Sequence, residues 1–324
     1  MTAQVDKLLG VDNFSLSLDI DRKSVRVIDG ISFDVENGEI VGMAGESGSG
    51  KSITSQSILR LLPCPPWKLD GGAIYFKGRD LYSLSKEEMR GIRGREIAVV
   101  LQEPMTSLNP FYTIGQQVEE VLTAHLGTGR KESRNRAIEA LAEVGIPGPS
   151  ERAGQYPHQL SGGLRQRVMI AVALALKPDL LLADEPTTAL DLTIQAQILD
   201  LIRKLSEERA MAVLFITHDL AVLKGIADRT IVMYSGVLVE AGPTGSLFEE
   251  PLHPYTKALI EVIPRPKERK KKLGTIPGSI PKPDARPGGC PFHPRCGYAI
   301  DRCREDHPVA KVIDGARMVR CWLY

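Results

Sequence analysis

The sequence predicts an α/β fold with an inserted helical subdomain and a small, loop-rich, metal- or cluster-binding C-terminal tail. Three observations predict it. Short, near-continuous apolar runs alternate with helix-like stretches up to about residue 240, the pattern of a sheet covered by helices. From about 104 to 175 the helical pattern continues without a convincing strand. Four of the five cysteines fall within the last 35 residues.

Five runs read as strands: Ile40–Ala44, Ile97–Leu101, Leu180–Ala183, Val213–Ile216 and Ile231–Tyr234. They are short, rich in β-branched residues and apolar throughout, as strands buried on both faces are. Helical pattern fills the intervals, most clearly at 114–124, 133–145, 161–176 and 192–208, and a helix-like run covers 53–62. This gives an α/β domain over 1–245, with its helical subdomain at about 104–175, a Pro/Gly-rich linker over 246–289 and a four-cysteine domain over 290–324. The linker contains RPKERKKK at 265–272, six basic residues and one acidic, which reads as a solvated charge run.

The 324 residues are 43% apolar and 25% charged, a globular composition. The 41 basic and 40 acidic side chains nearly cancel. That excludes a global polycation for nucleic acid and an acidic disordered chain. The longest apolar stretch, Val168 to Leu176, is nine residues, against the ~20 of a spanning helix. The opening MTAQVDKLLG lacks the charged-then-apolar pattern of a signal peptide, so the cysteines are not expected to form a disulfide framework.

The first chemical motif is Gly45-Glu46-Ser47-Gly48-Ser49-Gly50-Lys51-Ser52. It has the phosphate-loop form, between an expected strand and an expected helix. Its glycines let several backbone N–H groups, through Ile53, point at one phosphate chain. The following helix N-terminus favours an anion. Lys51 is suited to neutralise the terminal phosphates and the Ser52 hydroxyl to ligate Mg²⁺.

The second is Leu180-Leu181-Leu182-Ala183-Asp184-Glu185. A buried strand delivers two carboxylates to its carboxyl end, where ligands of open α/β sheets sit. Asp184 is placed to hold the Mg²⁺ shell, and Glu185 to polarise an attacking water as general base. The third is Leu160-Ser161-Gly162-Gly163-Leu164-Arg165-Gln166. Ser161 alone reads as an N-cap. Two glycines opening a helix need another reason. Approach of a phosphate to the bare backbone supplies one. Since Lys51 serves the local nucleotide, this second anion site would complete a nucleotide on another subunit.

The phosphate loop 45–52, LSGGLRQ at 160–166 and LLLADE at 180–185, in that order along the chain, resemble the motifs of ABC-type ATPases. Gln102 after the strand IAVVL resembles the family's Q-loop glutamine, which contacts Mg²⁺ and couples to the membrane subunit. Asp191 in TTALD resembles the D-loop aspartate, and His218 in FITHD the switch histidine at the γ-phosphate. The resemblance covers about 7–245. It implies a P-loop NTPase core and a head-to-tail dimer with two ATP molecules between subunits, Ser161 and Gly163 acting in trans. QEPMTSLNP at 102–110, HQLSGGLRQR at 158–167, and HPYTKAL at 253–259 before a proline-rich cysteine tail narrow the resemblance. They resemble ATPase subunits of the dipeptide/oligopeptide/nickel importer subfamily. That implies a second, usually different, ATPase subunit and two transmembrane permeases at the cytoplasmic face of the membrane. An extracytoplasmic peptide-binding protein would deliver the substrate. Two departures stand out: Arg22 to Arg26 replace the aromatic that often stacks on adenine, and Ile53 stands where many relatives carry a hydroxyl.

The tail reads C-x5-C-x6-C-x17-C, at Cys290, Cys296, Cys303 and Cys321. Four thiolates suit a [4Fe–4S] cluster or tetrahedral Zn²⁺. The absence of paired C-x2-C knuckles favours the cluster, which some importers with a similar tail carry. His293 and His307 lie near enough in sequence to substitute as ligands but read as solvated loop residues, and Cys64 reads as an ordinary thiol. Two other function classes remain beside a peptide importer. One is a soluble ABC-type ATPase acting on nucleic acid or the ribosome, against which stand the single cassette and the absence of a broad basic face. The other is a non-catalytic regulatory partner, against which stand intact Lys51, Asp184, Glu185 and His218.

Overall fold

The computed structural model describes residues 7–21, 23–101, 107–188, 190–263 and 276–324. Gln102, Arg22 and the basic run 265–272 lie outside the described residues. The chain divides into two compact units. The first takes the described residues through Val35, Ile40–Tyr82 and those of Phe215–Tyr324; the second takes Glu36–Glu39 and Ser83–Leu214.

The first unit contains an antiparallel sheet in the order Lys23–Glu36, Lys7–Ile20, Trp67–Phe76, Arg79–Asp80. The pairing sets Leu9 opposite Phe76 and Val11 opposite Ile74. Leu9, Val11, Phe14 and Leu16 point into the core. A bulge between Asp12 and Ser15 shifts the register, keeping Phe14 buried against Tyr82 with ring centroids 5.6 Å apart. These strands escape a search for continuous apolar runs, because polar positions on their open face interrupt the pattern.

In the same unit Ile40–Ala44, buried at all five positions, lies parallel to Arg229–Tyr234, with Ala44 opposite Val232. Gly42 lets this strand approach the helix Leu220–Ile226: a Cβ there would sit 2.7 Å from Leu223. Arg229–Tyr234 turns at Ser235-Gly236, both at positive φ, into Val237–Pro243, the two-residue hairpin such torsions permit. The tail extends this sheet: Arg317–Val319 pairs with Val237–Pro243, and Lys311–Ile313 pairs with Arg317–Val319. Within the stretch expected as linker, Pro254–Val262 is a helix whose Tyr255 and Thr256 are fully buried.

In the second unit Ile97–Val100 pairs in parallel with Leu180–Asp184, Ile97 opposite Leu180. The helices Ile114–Leu126, Arg130–Glu143, Gly162–Leu174 and Leu192–Arg209 follow the expected pattern to within a few residues. From 107 to 176 the described residues hold helices and no strand. Thr113 caps Ile114–Leu126 in a reciprocal capping box with Gln116, and Gly127, at φ +63°, ends it. Most of the long apolar run is interior: Val168, Ile170, Ala171 and Leu174 are buried. Among the described residues no helix is long and apolar enough to cross a membrane. Ala212–Thr217 begins in the second unit and ends in the first.

Candidate functional site

The glycine-rich turn at 45–52 joins strand Ile40–Ala44 to helix Lys51–Ile58. Gly45, Gly48 and Gly50 have φ of +152°, +81° and +108°, torsions that L side chains avoid. At Gly45 the restriction is doubled, because a Cβ would run into the Met233 carbonyl oxygen. The loop is hydrogen-bonded to itself and to the neighbouring hairpin: Ser49 N–H donates to Glu46 O at 3.2 Å, and Gly236 N–H to Ser49 O at 2.8 Å. Lys51 curls back inside the turn. Its Nζ donates to Gly45 O at 2.6 Å, Glu46 O at 3.0 Å and Ser49 Oγ at 3.4 Å. Ser47 and Gly48 are exposed at the tip, Ser49 is buried, and Ser52 and Ile53 are half-buried. The expected helix 53–62 ends earlier, at Ile58, where Arg60 turns to φ +50°.

His218, also in the first unit, is exposed immediately after strand Ala212–Thr217. Asp219 beside it caps Leu220–Ile226, accepting from Ala221 N–H at 2.9 Å. The sharp turn between strand and helix thereby fixes the backbone that carries His218.

In the second unit Asp184 is buried at the end of Leu180–Asp184. Glu185 follows at φ +49°, an uncommon setting for a side chain and one that concentrates at functional sites. Its carboxylate accepts from Thr188 Oγ1 at 2.9 Å, and its carbonyl from Thr188 N–H at 3.2 Å. Asp191 caps Leu192–Arg209 through Ile194 N–H at 2.9 Å. Ser161 caps Gly162–Leu174 through Leu164 N–H at 3.4 Å. The two glycines after Ser161 separate in purpose. A Cβ on Gly163 would lie 2.8 Å from Ile194, whereas around Gly162 there is open space. Packing therefore accounts for Gly163, a reason the sequence reading did not supply.

Sequence reasoning also passed over the surroundings of Glu46. Its N–H donates to Tyr255 Oη at 2.9 Å. Its carboxylate takes both arms of Arg295, Nη1 to Oε2 at 2.7 Å and Nη2 to Oε1 at 3.0 Å. That carboxylate holds Arg295 protonated well above the usual guanidinium value. Tyr234 meets Tyr255 and Phe292 edge-on, and Tyr255 and Phe292 are tilted to one another, with centroids 4.7–5.3 Å apart. Burial raises both phenols, keeping them neutral. The signal was HPYTKAL, whose His253 caps Pro254–Val262 by accepting from Tyr255 N–H at 3.0 Å. Glu240 anchors the same turn, accepting from Leu252 N–H and His253 N–H at 2.8 Å each.

In the tail Cys290, Cys303 and Cys321 are buried, Cys296 is half-buried and none is in a disulfide. Burial pushes the Cys290 thiol up to about 11, and the adjacent thiols of Cys303, Cys321 and Cys296 add to the rise. Burial also raises Cys296 and Cys321, each with Cys303 as a neighbour. The four sulfurs thus form one electrostatic group. The backbone N–H groups of Phe292, Tyr298 and Leu323 offset part of this rise at Cys290, Cys296 and Cys321. Cys290 N–H donates to Cys303 O at 2.8 Å. Gly289, at φ +65°, allows this approach, since a Cβ there would strike the same carbonyl. Yet among the described residues no three His, Cys, Asp or Glu side chains gather closely enough to hold one metal ion. His293 and His307 turn their Nδ1 atoms to backbone carbonyls, of Cys290 and Pro308. His307 is not the solvated loop residue expected: burial lowers it, and its Nε2 is enclosed.

The profile of the ABC transporter family matches residues 28–188, and that of the oligopeptide/dipeptide transporter C-terminal region matches 239–303. The chain is 46% identical over 314 residues to the dipeptide transport ATP-binding protein DppD of Escherichia coli (strain K12), covering 97% of this chain and 96% of that one. The chain belongs to the ATP-binding subunits of ABC transporters, in the dipeptide/oligopeptide importer family. DppD of Shigella flexneri matches to the same extent. Among solved structures, the ABC cassette MJ0796, a dimer in a post-hydrolysis state with ADP and Pi, aligns with a TM-score of 0.65 at 31% identity. It covers 73% of this chain and 98% of its own. The cbiO1 cassette of Clostridium perfringens aligns with a TM-score of 0.65 at 26% identity, covering 76% and 92%. As an ABC ATP-binding subunit the chain is an ATPase. The first profile spans the loop 45–52 and both carboxylates; the second holds Glu240, Tyr255, Arg295 and three of the four tail cysteines. Nothing in these comparisons supports the nucleic-acid reading.

Proposed function

We propose that this chain hydrolyses ATP to drive peptide import through partner permeases. The observation that carries the reading is the glycine turn 45–52 between strand and helix, with Lys51 enclosed by its backbone. In this reading the loop N–H groups from Ser47 to Ile53 bind the phosphates and Lys51 neutralises them. Mg²⁺ would be held by Ser52 and Gln102, with Asp184 in its shell, and would neutralise charge on the phosphates; Asp184 suits this as a buried carboxylate at a strand end. Glu185 takes a proton from the attacking water, and His218 contacts the γ-phosphate. Ser161, Gly163 and Asp191 meet the nucleotide of a second ATPase subunit, which we propose is a different chain. The dimeric state of the MJ0796 cassette supports pairing of two ATPase subunits, not the choice of a different chain as partner. Two permeases and an extracytoplasmic peptide-binding protein complete the importer, with this subunit peripheral at the cytoplasmic face. The test is Glu185→Gln in the assembled complex. ATP binding is expected to persist while hydrolysis falls by ~10²-fold or more; undiminished turnover removes Glu185 as the base.

We further propose that the tail holds a [4Fe–4S] cluster on Cys290, Cys296, Cys303 and Cys321. The four thiols neighbour one another in the tail, and their spacing without paired C-x2-C knuckles favours a cluster over a single Zn²⁺. Burial raises these thiols, and the N–H groups of Phe292, Tyr298 and Leu323 offset part of that rise. Such a group would tie the loop-rich tail together. Purification without oxygen is expected to give a brown protein with about four irons per chain. One zinc per chain, or neither metal, overturns the cluster.

A further inference from the structure

The residue between the first two tail cysteines reaches the phosphate loop. Arg295 ends the short 3₁₀ turn His293–Arg295, inside the loop from Cys290 to Cys296. Its side chain is only 5% exposed. Its two terminal nitrogens grip the Glu46 carboxylate at 2.7 and 3.0 Å. Its Nε donates to Pro277 O at 2.7 Å, and its face lies 5.8 Å from the Tyr234 ring centroid. The guanidinium is therefore fixed on several sides before it meets the carboxylate, as directional, bidentate recognition requires.

Glu46 is the second residue of the phosphate loop, and its backbone carries the effect onward. Its carbonyl oxygen accepts from Lys51 Nζ at 3.0 Å and from Ser49 N–H at 3.2 Å. Its N–H is held by Tyr255 Oη at 2.9 Å. One peptide unit thus receives the tail through its side chain and orients the phosphate-binding lysine through its carbonyl. An ordinary surface ion pair does neither of these things, and removing it changes little.

We propose that Arg295 is a positioning residue for ATP binding. Through Glu46 it sets the loop in its phosphate-binding form, so the cysteine tail and the nucleotide site are thermodynamically coupled. The proposal rests on the ATP-site reading of 45–52 and is independent of what the cysteines hold.

The test measures binding of a fluorescent ATP analogue with Mg²⁺ to the full chain, then KM and kcat for ATP in the assembled transporter. Arg295→Ala is expected to raise Kd and KM about tenfold, within the usual range of coupling between sites, with kcat changed less than about twofold, the pattern of lost uniform binding. Arg295→Lys, which keeps the charge but loses the fork, is expected to fall between. Glu46→Gln leaves every tail residue in place, and is expected to weaken binding as Arg295→Ala does even if that variant unravels the tail. The double variant is expected to bind no more weakly than the weaker single one, since both remove the same link. Unchanged Kd in Arg295→Lys and Glu46→Gln, or additive losses in the double variant, overturns the proposal. Lys51→Ala separates the two readings: wild-type affinity in that variant defeats the ATP-site assignment itself, whereas its loss beside unchanged Glu46→Gln defeats only the role of Arg295.

Discussion

At the scale of single residues, backbone torsion and side-chain chemistry divide the work. Gly45 is required twice, by its φ of +152° and by the Met233 carbonyl against it. A short sequence pattern can announce such a residue because the torsional demand is local, although the Met233 carbonyl is not. Glu185 is a different case. Its φ of +49° and the hydrogen bond from Thr188 aim the carboxylate. Thr188→Val removes that bond at nearly constant volume. It is expected to lower kcat about tenfold with KM for ATP little changed, because the carboxylate proposed above as the base is misdirected while the phosphate loop is untouched. Steady-state ATPase assays of the assembled complex check this, and an unchanged kcat assigns Thr188 a structural part alone. Glu46 was illegible in the sequence for a simple reason: its partners Tyr255 and Arg295 stand 209 and 249 residues away, and no spacing rule links them.

At the scale of elements, burial decides what a sequence discloses. Ile40–Ala44 and Leu180–Asp184 are buried throughout and read directly as strands. Lys7–Ile20, Lys23–Glu36 and Trp67–Phe76 alternate irregularly between core and solvent and were passed over. The helix Pro254–Val262 was hidden in a proline-rich stretch read as linker, because its first turn depends on distant Glu240. That turn also carries a pH dependence. Burial holds His253 neutral, lowering it from 6.5 to about 3. Between those values the unfolded chain binds a proton that the folded one refuses. His253 therefore contributes stability that is full above about pH 6.5 and is lost as pH falls toward about 3. Burial raises Glu240, which opposes this trend just above its ordinary value. His253→Asn keeps an N-cap acceptor and removes the titration. Urea unfolding across this pH range is expected to show a shallower acid loss in the variant; an identical slope places the effect elsewhere.

At the scale of the whole molecule, the tail is an integral part of the first unit. Val237–Pro243 pairs with Arg317–Val319, and Leu252, Val319 and Cys321 share one buried cluster. Ending the chain at Gly289 would leave that edge unpaired, with Leu252 and Val239 uncovered. The truncated protein is expected to melt at lower temperature and to associate, by circular dichroism and light scattering. A monomer with an unchanged midpoint would show the tail to be dispensable. The cysteine spacing announced a local site here, but not its attachment, which depends on strand pairing and on Arg295.

The division of the chain also sets an order of events during synthesis. The first unit is written in separate pieces, and all of Ser83–Leu214, 132 residues, is made between Tyr82 and Phe215. At about 5–20 residues per second that interval lasts roughly 7–26 s. Lys7–Ile20 finds its partner Trp67–Phe76 before the interval begins. Ile40–Ala44, apolar throughout, must wait for Arg229–Tyr234 until after it. Ile40–Ala44 is therefore synthesised long before the strand it pairs with, and the phosphate loop that follows it is among the last features whose full set of contacts becomes available.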